Sequence, residues 1–242
     1  MKTHYIITLF TLIFLIPTKS NSFEIGGGFN LDTNIDILSD YRFSGISQTQ
    51  NNPALQIESM LWHESGAYFG LFSSNIDDGG DASRENMFYT GFDLYFTETS
   101  YISTYIGRYI YSGDGSQNSN EYFIGGGIQD FYIGFSYNYN QGQYIADSSA
   151  YETSYTFHTP FDSKTVIRYG YTDVNMDAFY NDNGDVRQHF SDWEVRFSKD
   201  ISGLNWAISY VDTDLTETEC YYALGFDDVC SSTLIGRVRY TF

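Results

Sequence analysis

The sequence predicts an all-β protein, a transmembrane antiparallel up-and-down β-barrel of about twelve strands. Three observations carry this. Apolar and polar residues alternate with period 2 along nearly the whole chain, and no long segment has helical spacing. The connections between alternating runs are short and long by turns. The last run, ending on Phe242, sets Leu234, Gly236, Val238, Tyr240 and Phe242 on one face and Ile235, Arg237, Arg239 and Thr241 on the other. Arginines opposite an apolar, aromatic face suit a sheet with lipid outside and water inside.

The chain opens with Lys2, an apolar run from Tyr5 to Ile16, Pro17, and the small residues Ser20 and Ser22. This is the pattern of a secretory leader over 1–22, cut before Phe23. Its apolar run is too short to span as a helix, which takes about 20 residues. The expectation is therefore an exported barrel over 23–242 that enters the outer membrane of a Gram-negative bacterium as strands.

A first long stretch alternates from Phe23 to Gly45, with room for a turn near Asp32–Asn34. Further strands are predicted at about Ala54–His63, Ala67–Ile76, Asn86–Thr97, Tyr101–Ser112 and Glu121–Gln129. The rest fall at Phe131–Tyr139, Tyr151–Thr159, Thr165–Thr172, Phe190–Ser198, Leu204–Asp212 and Thr233–Phe242. The connections Glu64–Gly66, Glu98–Ser100, Gln129–Asp130, Pro160–Lys164 and Lys199–Gly203 are short. Those between them, Asp77–Glu85, Gly113–Asn120, Asn140–Ala150, Asp173–His189 and Thr213–Ser232, are long. Short periplasmic turns and long outer loops produce this parity, and a soluble sandwich has no reason to.

Charge then assigns the faces. Asp192, Glu194 and Arg196 alternate with Trp193, Val195 and Phe197, so the charged set faces the lumen; Arg168, between Ile167 and Tyr169, must do the same. Arginine on the lipid face at mid-depth costs roughly 2–4 kcal/mol. The inferred lumen wall holds Asp36, Asp40, Glu58, Asp93, Glu152, Asp192 and Glu194 against Arg42, Arg108, Arg168, Arg196, Arg237 and Arg239. Closure makes the first and last strands neighbours, so Asp36 should meet Arg237 at the periplasmic end. Asp40 and Arg42 share the lumen face, with Tyr41 and Phe43 toward lipid, either as a structural clasp or as part of a charged constriction. Tyr240 and Phe242 read as the signal for the barrel-assembly machinery.

Formal net charge is −19, and −21 once Lys2 and Lys19 leave with the leader. Acids crowd the connections: Asp77, Asp78, Asp81 and Glu85; Asp173, Asp177, Asp182 and Asp185; Asp212, Asp214, Glu217 and Glu219. Such a balance argues against nucleic acid as a partner. At a pore mouth it draws cations, with salt screening the effect over about 10 Å at 0.1 M. Cys220 and Cys230 in the final outer loop of an exported chain favour a disulfide. His63, His158 and His189 are scattered, and neither a Gly-x-Ser-x-Gly nor a His-Glu-x-x-His motif occurs. Asn181–Asp185 resembles a calcium loop only loosely, lacking the closing Glu, and reads as a turn. The expectation is no catalytic residue, no bound metal and no cofactor.

The segment Ser39-Asp40-Tyr41-Arg42-Phe43-Ser44-Gly45-Ile46-Ser47-Gln48, followed by Asn52-Pro53-Ala54, resembles the signature of the TorF family of porin-like proteobacterial proteins, formerly of unknown function. Ser44 stands where that pattern usually has a second Arg. The run Gly66 to Asn75 is similar to the family's next hairpin. The resemblance covers the first third of the chain and implies an outer-membrane barrel with a porin role. The residues and the resemblance together lead to a channel for small hydrophilic solutes or ions, cation-preferring at low salt. The alternatives are a non-conducting barrel acting through its outer loops and, further off, an outer-membrane hydrolase.

Overall fold

The computed structural model describes residues 23–141 and 146–242; the expected leader lies outside the described residues. Twelve long antiparallel strands form the wall. They are β1 (Phe29–Leu38), β2 (Ala54–His63), β3 (Ala67–Asn75), β4 (Arg84–Thr97), β5 (Ser100–Ser112) and β6 (Ser119–Ile128). Then follow β7 (Phe131–Tyr139), β8 (Ser148–Thr159), β9 (Ser163–Asp173), β10 (His189–Ile201), β11 (Leu204–Thr213) and β12 (Thr233–Thr241). Each strand pairs with the next, and β1 pairs with both β2 and β12, which closes the cylinder. Closure gives every wall strand two hydrogen-bonded neighbours, so no ladder is left open to lipid.

The seam is drawn tight at the C-terminus. The Phe242 amide donates to the Thr33 carbonyl at 3.0 Å, and the Thr33 amide donates to the Phe242 carbonyl at 2.8 Å. Tyr240 and Phe242 lie side by side, ring centroids 5.5 Å apart, and Phe242 is exposed like Leu234 at the other end of the strand.

Alternation does what the pattern predicts along the wall. Leu55, Ile57, Leu71, Phe88, Ile124, Ile133 and Phe197 are exposed on the outside, whereas Gln56, Ser74, Glu85, Glu121 and Asp192 are buried on the inside. Among the described residues no helix is long and apolar enough to cross a membrane. The short connections lie at one end, here the turn end, and the long ones at the other, the loop end.

The first stretch departs from expectation in two ways. Its turn lies at Gly27–Gly28, where positive φ angles of 65° and 82° suit glycine, and a short strand Phe23–Gly26 folds back on β1. And β1 stops at Leu38; the chain then turns into the barrel rather than continuing the wall to Gly45. The Asn181–Asp185 segment is the turn of a small hairpin pairing Phe179–Tyr180 with Val186–Arg187.

Candidate functional site

The loop-end segment 39–53, between β1 and β2, crosses the lumen. It begins beside β12, where the Ser39 amide donates to the Gly236 carbonyl at 2.9 Å. Arg42–Phe43 then pairs with Ile46–Ser47 across a tight turn at Ser44 and Gly45, whose φ values are 46° and 78°. Positive φ at both central positions is the geometry of a two-residue hairpin turn, and it needs Gly at the second. A Cβ on Gly45 would lie 2.4 Å from Thr213 Cγ2 and 2.9 Å from Asp192 Cβ, so the tip is pressed against β10 and β11. On the far side Tyr41 donates its hydroxyl to Glu85 of β4 at 3.2 Å and packs near Phe72 of β3. One loop thus touches both sides of the bore.

Asp40 is the hub that holds this shape. Its carboxylate accepts from Arg42 Nε at 2.6 Å, Ser47 Oγ at 2.6 Å and Thr49 Oγ1 at 3.1 Å, and it is only 4% exposed. Arg42 spends its other donors on the Gly45 carbonyl at 2.8 Å, the Ser231 carbonyl at 2.9 Å and Asn51 Oδ1 at 2.6 Å. The pair is therefore a clasp within a loop rather than two wall charges one pleat apart. Tyr41 and Phe43 do not face lipid: Tyr41 reaches Glu85, and Phe43 lines the lumen cavity below the hairpin. A burial pattern read as strand alternation here reflects a loop folded inward.

The last outer loop seals this plug from above. An eight-residue helix, α1 (Glu217–Leu224), starts on a reciprocal cap between Thr216 and Glu219 and ends on left-handed Gly225. The disulfide Cys220–Cys230 ties α1 to the returning chain, within an apolar cluster of Phe179, Phe190, Leu215 and Val229 against which Ile46 packs. From the returning chain, the Val229 carbonyl accepts from the Ser47 amide at 2.9 Å, and Asp228 accepts from Asn51 at 3.1 Å. Arg187 of the preceding loop donates to both carboxylate oxygens of Glu219, at 2.8 and 2.9 Å, and to Asp214 at 3.1 Å. Burial pushes the Glu219 carboxyl up, but the hydrogen bonds from Arg187 and Thr216 outweigh it and hold it below the usual carboxylate range.

Beneath the plug the wall has two chemistries. Around β9 to β12 and β1, inward carboxylates meet guanidiniums. Arg168 is bound to Asp192 and stands 3.8 Å from Glu152; Arg196 donates to both oxygens of Glu194 at 2.8 Å; Arg239 donates to Asp36 at 2.9 Å. Asp36 does lie near Arg237, at 3.7 Å, but its register partner is Arg239; the strands are staggered, so the contact falls near the turn end of β12 and near the loop end of β1. Around β2 to β8, by contrast, inward carboxylates meet phenols. Glu58 accepts from Tyr89 at 2.8 Å, Glu121 from Tyr105 at 2.5 Å, Glu152 from Tyr132 at 3.2 Å, and Glu85 from Tyr111 at 3.4 Å as well as from Tyr41. Two cavities, of about 330 and 360 Å³, flank Tyr105 and Tyr109; the first reaches Arg168, Arg196 and Arg237, the second Glu58, Glu85 and Asp93.

Of the residues expected in the lumen, Asp36, Asp40, Arg42, Glu58, Arg168, Asp192, Glu194, Arg196, Arg237 and Arg239 are inside the barrel. Arg108 is not. It is exposed on the same face as Ile106 and Ile110 and donates to Asn120 Oδ1 at 3.0 Å. The charge rule fails there because the residue lies near the loop end of β5, where an outward charge reaches polar surroundings. Three inward acids were missed. Asp32 accepts from Trp62 at 2.8 Å; Glu85 is a wall residue because β4 begins at Arg84; Glu121 alternates with exposed Tyr122 and could have been placed by that signal. His63, His158 and His189 are dispersed: His63 bonds Ser65, His158 bonds Asp130, and His189 stacks on Tyr171.

The fold and this site define a closed twelve-stranded β-barrel with a charged lumen and an inward-folded loop. The chain belongs to the family described as a bacterial protein of unknown function, Gcw_chp, whose model matches residues 23–242. No curated protein matches it. Among solved structures it is similar to the NanC porin, with a TM-score of 0.53 at 10% identity over 87% of this chain and 98% of that one. It is also similar to the KdgM porin, with a TM-score of 0.49 at 10% identity over 88% of this chain and 98% of that one. The likeness to NanC is one of barrel architecture.

Proposed function

We propose that this protein is an outer-membrane channel of narrow bore for small hydrophilic solutes and ions, filtered by the loop 39–53 and preferring cations. The observation that carries the reading is a closed barrel whose interior is lined by ionic and hydroxyl groups and holds two cavities below an inward-folded loop. A barrel serving only as a scaffold gains nothing from an ionic interior, since buried charges are costly to desolvate. The exposed apolar belt, the alternation of turns and loops, and the terminal Tyr240–Phe242 pair support insertion in an outer membrane by the barrel-assembly machinery, following export by the 1–22 leader. The TorF-like signature falls on the plug loop itself, which supports a porin role for that segment. Inward acids outnumber inward arginines, and the outer loops are acidic, which supports cation preference.

A second reading has its own observation. Asp40, Arg42, Cys220–Cys230 and the α1 cap hold the plug from several sides. A plug that never moves makes a non-conducting barrel that acts through its outer loops. Planar-bilayer recording of the purified protein separates the two. The channel reading expects stepwise conductance with a reversal potential of cation sign; silence under all salts, or an anion-sign potential, overturns it. The expected shift between unheated and boiled gel mobility checks the barrel independently of conductance.

A further inference from the structure

Six of the chain's eight arginines have a carboxylate oxygen within 4.0 Å. Among the described residues, the two that do not are Arg84 and Arg108, and they share a location. Both are exposed on the outward face near the loop end, on adjacent strands β4 and β5. Their hydrogen bonds go to neutral oxygens: Arg84 Nη1 donates to Ser73 Oγ at 3.2 Å and Arg108 Nη1 to Asn120 Oδ1 at 3.0 Å. In a chain of net charge −19, two guanidiniums with no protein carboxylate are a selective exception.

The register fixes their depth. Tyr122 sits opposite Ile106 and also opposite Tyr137, both aromatics exposed on the outside, as in the girdle that marks a membrane interface. Arg108, opposite Asn120, lies one outward position beyond that girdle toward the loops. Arg84, opposite Ser112, lies four residues further, roughly 13 Å at about 3.3 Å per residue. The apolar belt runs out between the two: Phe88 sits opposite Arg108, Ile110 is the last apolar outward position of β5, and the remaining outward positions become Ser73, Asn86, Ser112 and Asn120. Ser73 donates to Asn86 at 2.9 Å. This is the level of lipid headgroups, where an outward arginine costs only about 0–1 kcal/mol.

We infer that Arg84 and Arg108 bind the phosphate groups of a phosphorylated glycolipid headgroup, of the lipid A type, in the outer leaflet. The planar guanidinium fork matches phosphate oxygens bidentately, and the nearby hydroxyls and amides supply further donors. The acidic loops above repel anionic headgroups, so a cationic seat just below them gives the surrounding lipid a place to anchor. The inference rests on the outer-membrane reading and is independent of whether the barrel conducts.

The test uses the purified full-length protein in neutral detergent, followed by native mass spectrometry with three probes: diphosphoryl lipid A, its dephosphorylated counterpart, and inorganic phosphate. Wild type should retain diphosphoryl lipid A, with retention falling as salt rises. The double variant Arg84→Gln/Arg108→Gln should lose at least five-fold in retention, and Arg84→Lys/Arg108→Lys should recover part of it. Equal retention by the Gln variant, or equal retention of the dephosphorylated lipid, overturns the site. Inorganic phosphate binding as well as lipid A overturns the lipid assignment. The unheated-versus-boiled gel shift of each variant shows that its barrel is intact, and wild-type membrane fractionation tests the outer-membrane reading separately.

Discussion

The two halves of the lumen wall satisfy the same kind of group by different means. From β9 through β12 to β1, Asp36, Asp192 and Glu194 are held by guanidiniums; from β2 to β7, Glu58, Glu85 and Glu121 are held by tyrosine hydroxyls. Both arrangements give the carboxylate hydrogen bonds, but only the first supplies an opposing charge. A phenol leaves the formal charge of its partner standing, and a buried charge so held either persists or takes up a proton. The wall is therefore asymmetric, with its cations on one side and its uncompensated acids on the other. Counting charges along the sequence suggests near balance; placing them produces a field across the bore. Tyr105 and Tyr109, on β5 in the phenol half, line both cavities.

The plug bridges these halves, and releasing it should have the largest effect. Asp40→Ala removes the acceptor of three hydrogen bonds and leaves Arg42 without its carboxylate. Breaking a buried ion pair by deleting one partner costs about 3–5 kcal/mol. The loop should leave the bore and single-channel conductance should rise several-fold, while the heat-dependent gel shift is retained. Unchanged conductance would mean that the loop does not obstruct the path. Arg42→Ala should act in the same direction, because its donors join the hairpin to Asn51 and to Ser231 of the last loop.

Next in size is the disulfide. In the chain-entropy account, cross-linking residues ten apart in sequence stabilises the closed loop by about 3 kcal/mol. Reduction, or Cys220→Ser with Cys230→Ser, should loosen the 228–231 segment that holds Asn51, Ser47 and Arg42. The expected readout is flickering of the current between levels, with the barrel's resistance to detergent unchanged. Current traces as quiet as those of the oxidised protein would show that the α1 cap and its apolar cluster clamp the plug unaided.

The asymmetry itself is read by selectivity. Glu85→Gln with Glu121→Gln should move the reversal potential toward zero, and Arg168→Gln should move it toward greater cation preference. Salt separates wall from loops: at about 1 M the Debye length is about 3 Å, so loop charges lose their reach while groups lining the bore keep theirs. Neutralising Asp77, Asp78 and Asp81 should therefore matter at low salt only. If Glu85→Gln/Glu121→Gln has no effect at any salt, the phenol-held carboxylates are protonated and the comparison between the halves loses its electrostatic meaning.

These tests probe what the sequence made legible and what it did not. Strand existence and parity could be read because a wall between two solvents imposes period 2 on every segment it contains. Arg168, Glu194 and Arg196 could be placed because apolar residues flank them toward mid-strand, where an outward charge is expensive, and Asp192 because it continues their alternation. Arg108 has similar neighbours, but near the strand's end that cost vanishes, and the same rule sent it to the wrong face. The segment from Asp40 to Phe43 continues the alternation of β1, yet it is held by Thr49 within its own loop and by Glu85 and Ser231, partners distant in sequence that no local pattern announces. The phenol network was missed because tyrosine on a strand reads as a membrane aromatic until its carboxylate partner on a nearby strand is known.

The smallest expected effect lies farthest from the wall, at the cap. Glu219 both caps α1 and receives Arg187, and its folded pKa is depressed relative to the unfolded chain. A depressed carboxylate contributes stability that is fully present above its unfolded pKa and lost as pH falls through its folded value. The link between the 174–188 and 214–232 loops should therefore hold through neutral pH and weaken only below the ordinary carboxylate range. Glu219→Gln should remove most of that pH dependence and cost about 1 kcal/mol, the usual scale of a lost cap. Hydrogen exchange of the α1 amides at acidic and neutral pH reads this directly. Faster exchange at low pH in wild type, with little pH effect in Glu219→Gln after correction for intrinsic rates, is the expected result. An equal pH response in both proteins would mean that the cap is governed by other groups, and that the clamp on the plug does not depend on the Arg187–Glu219 pair.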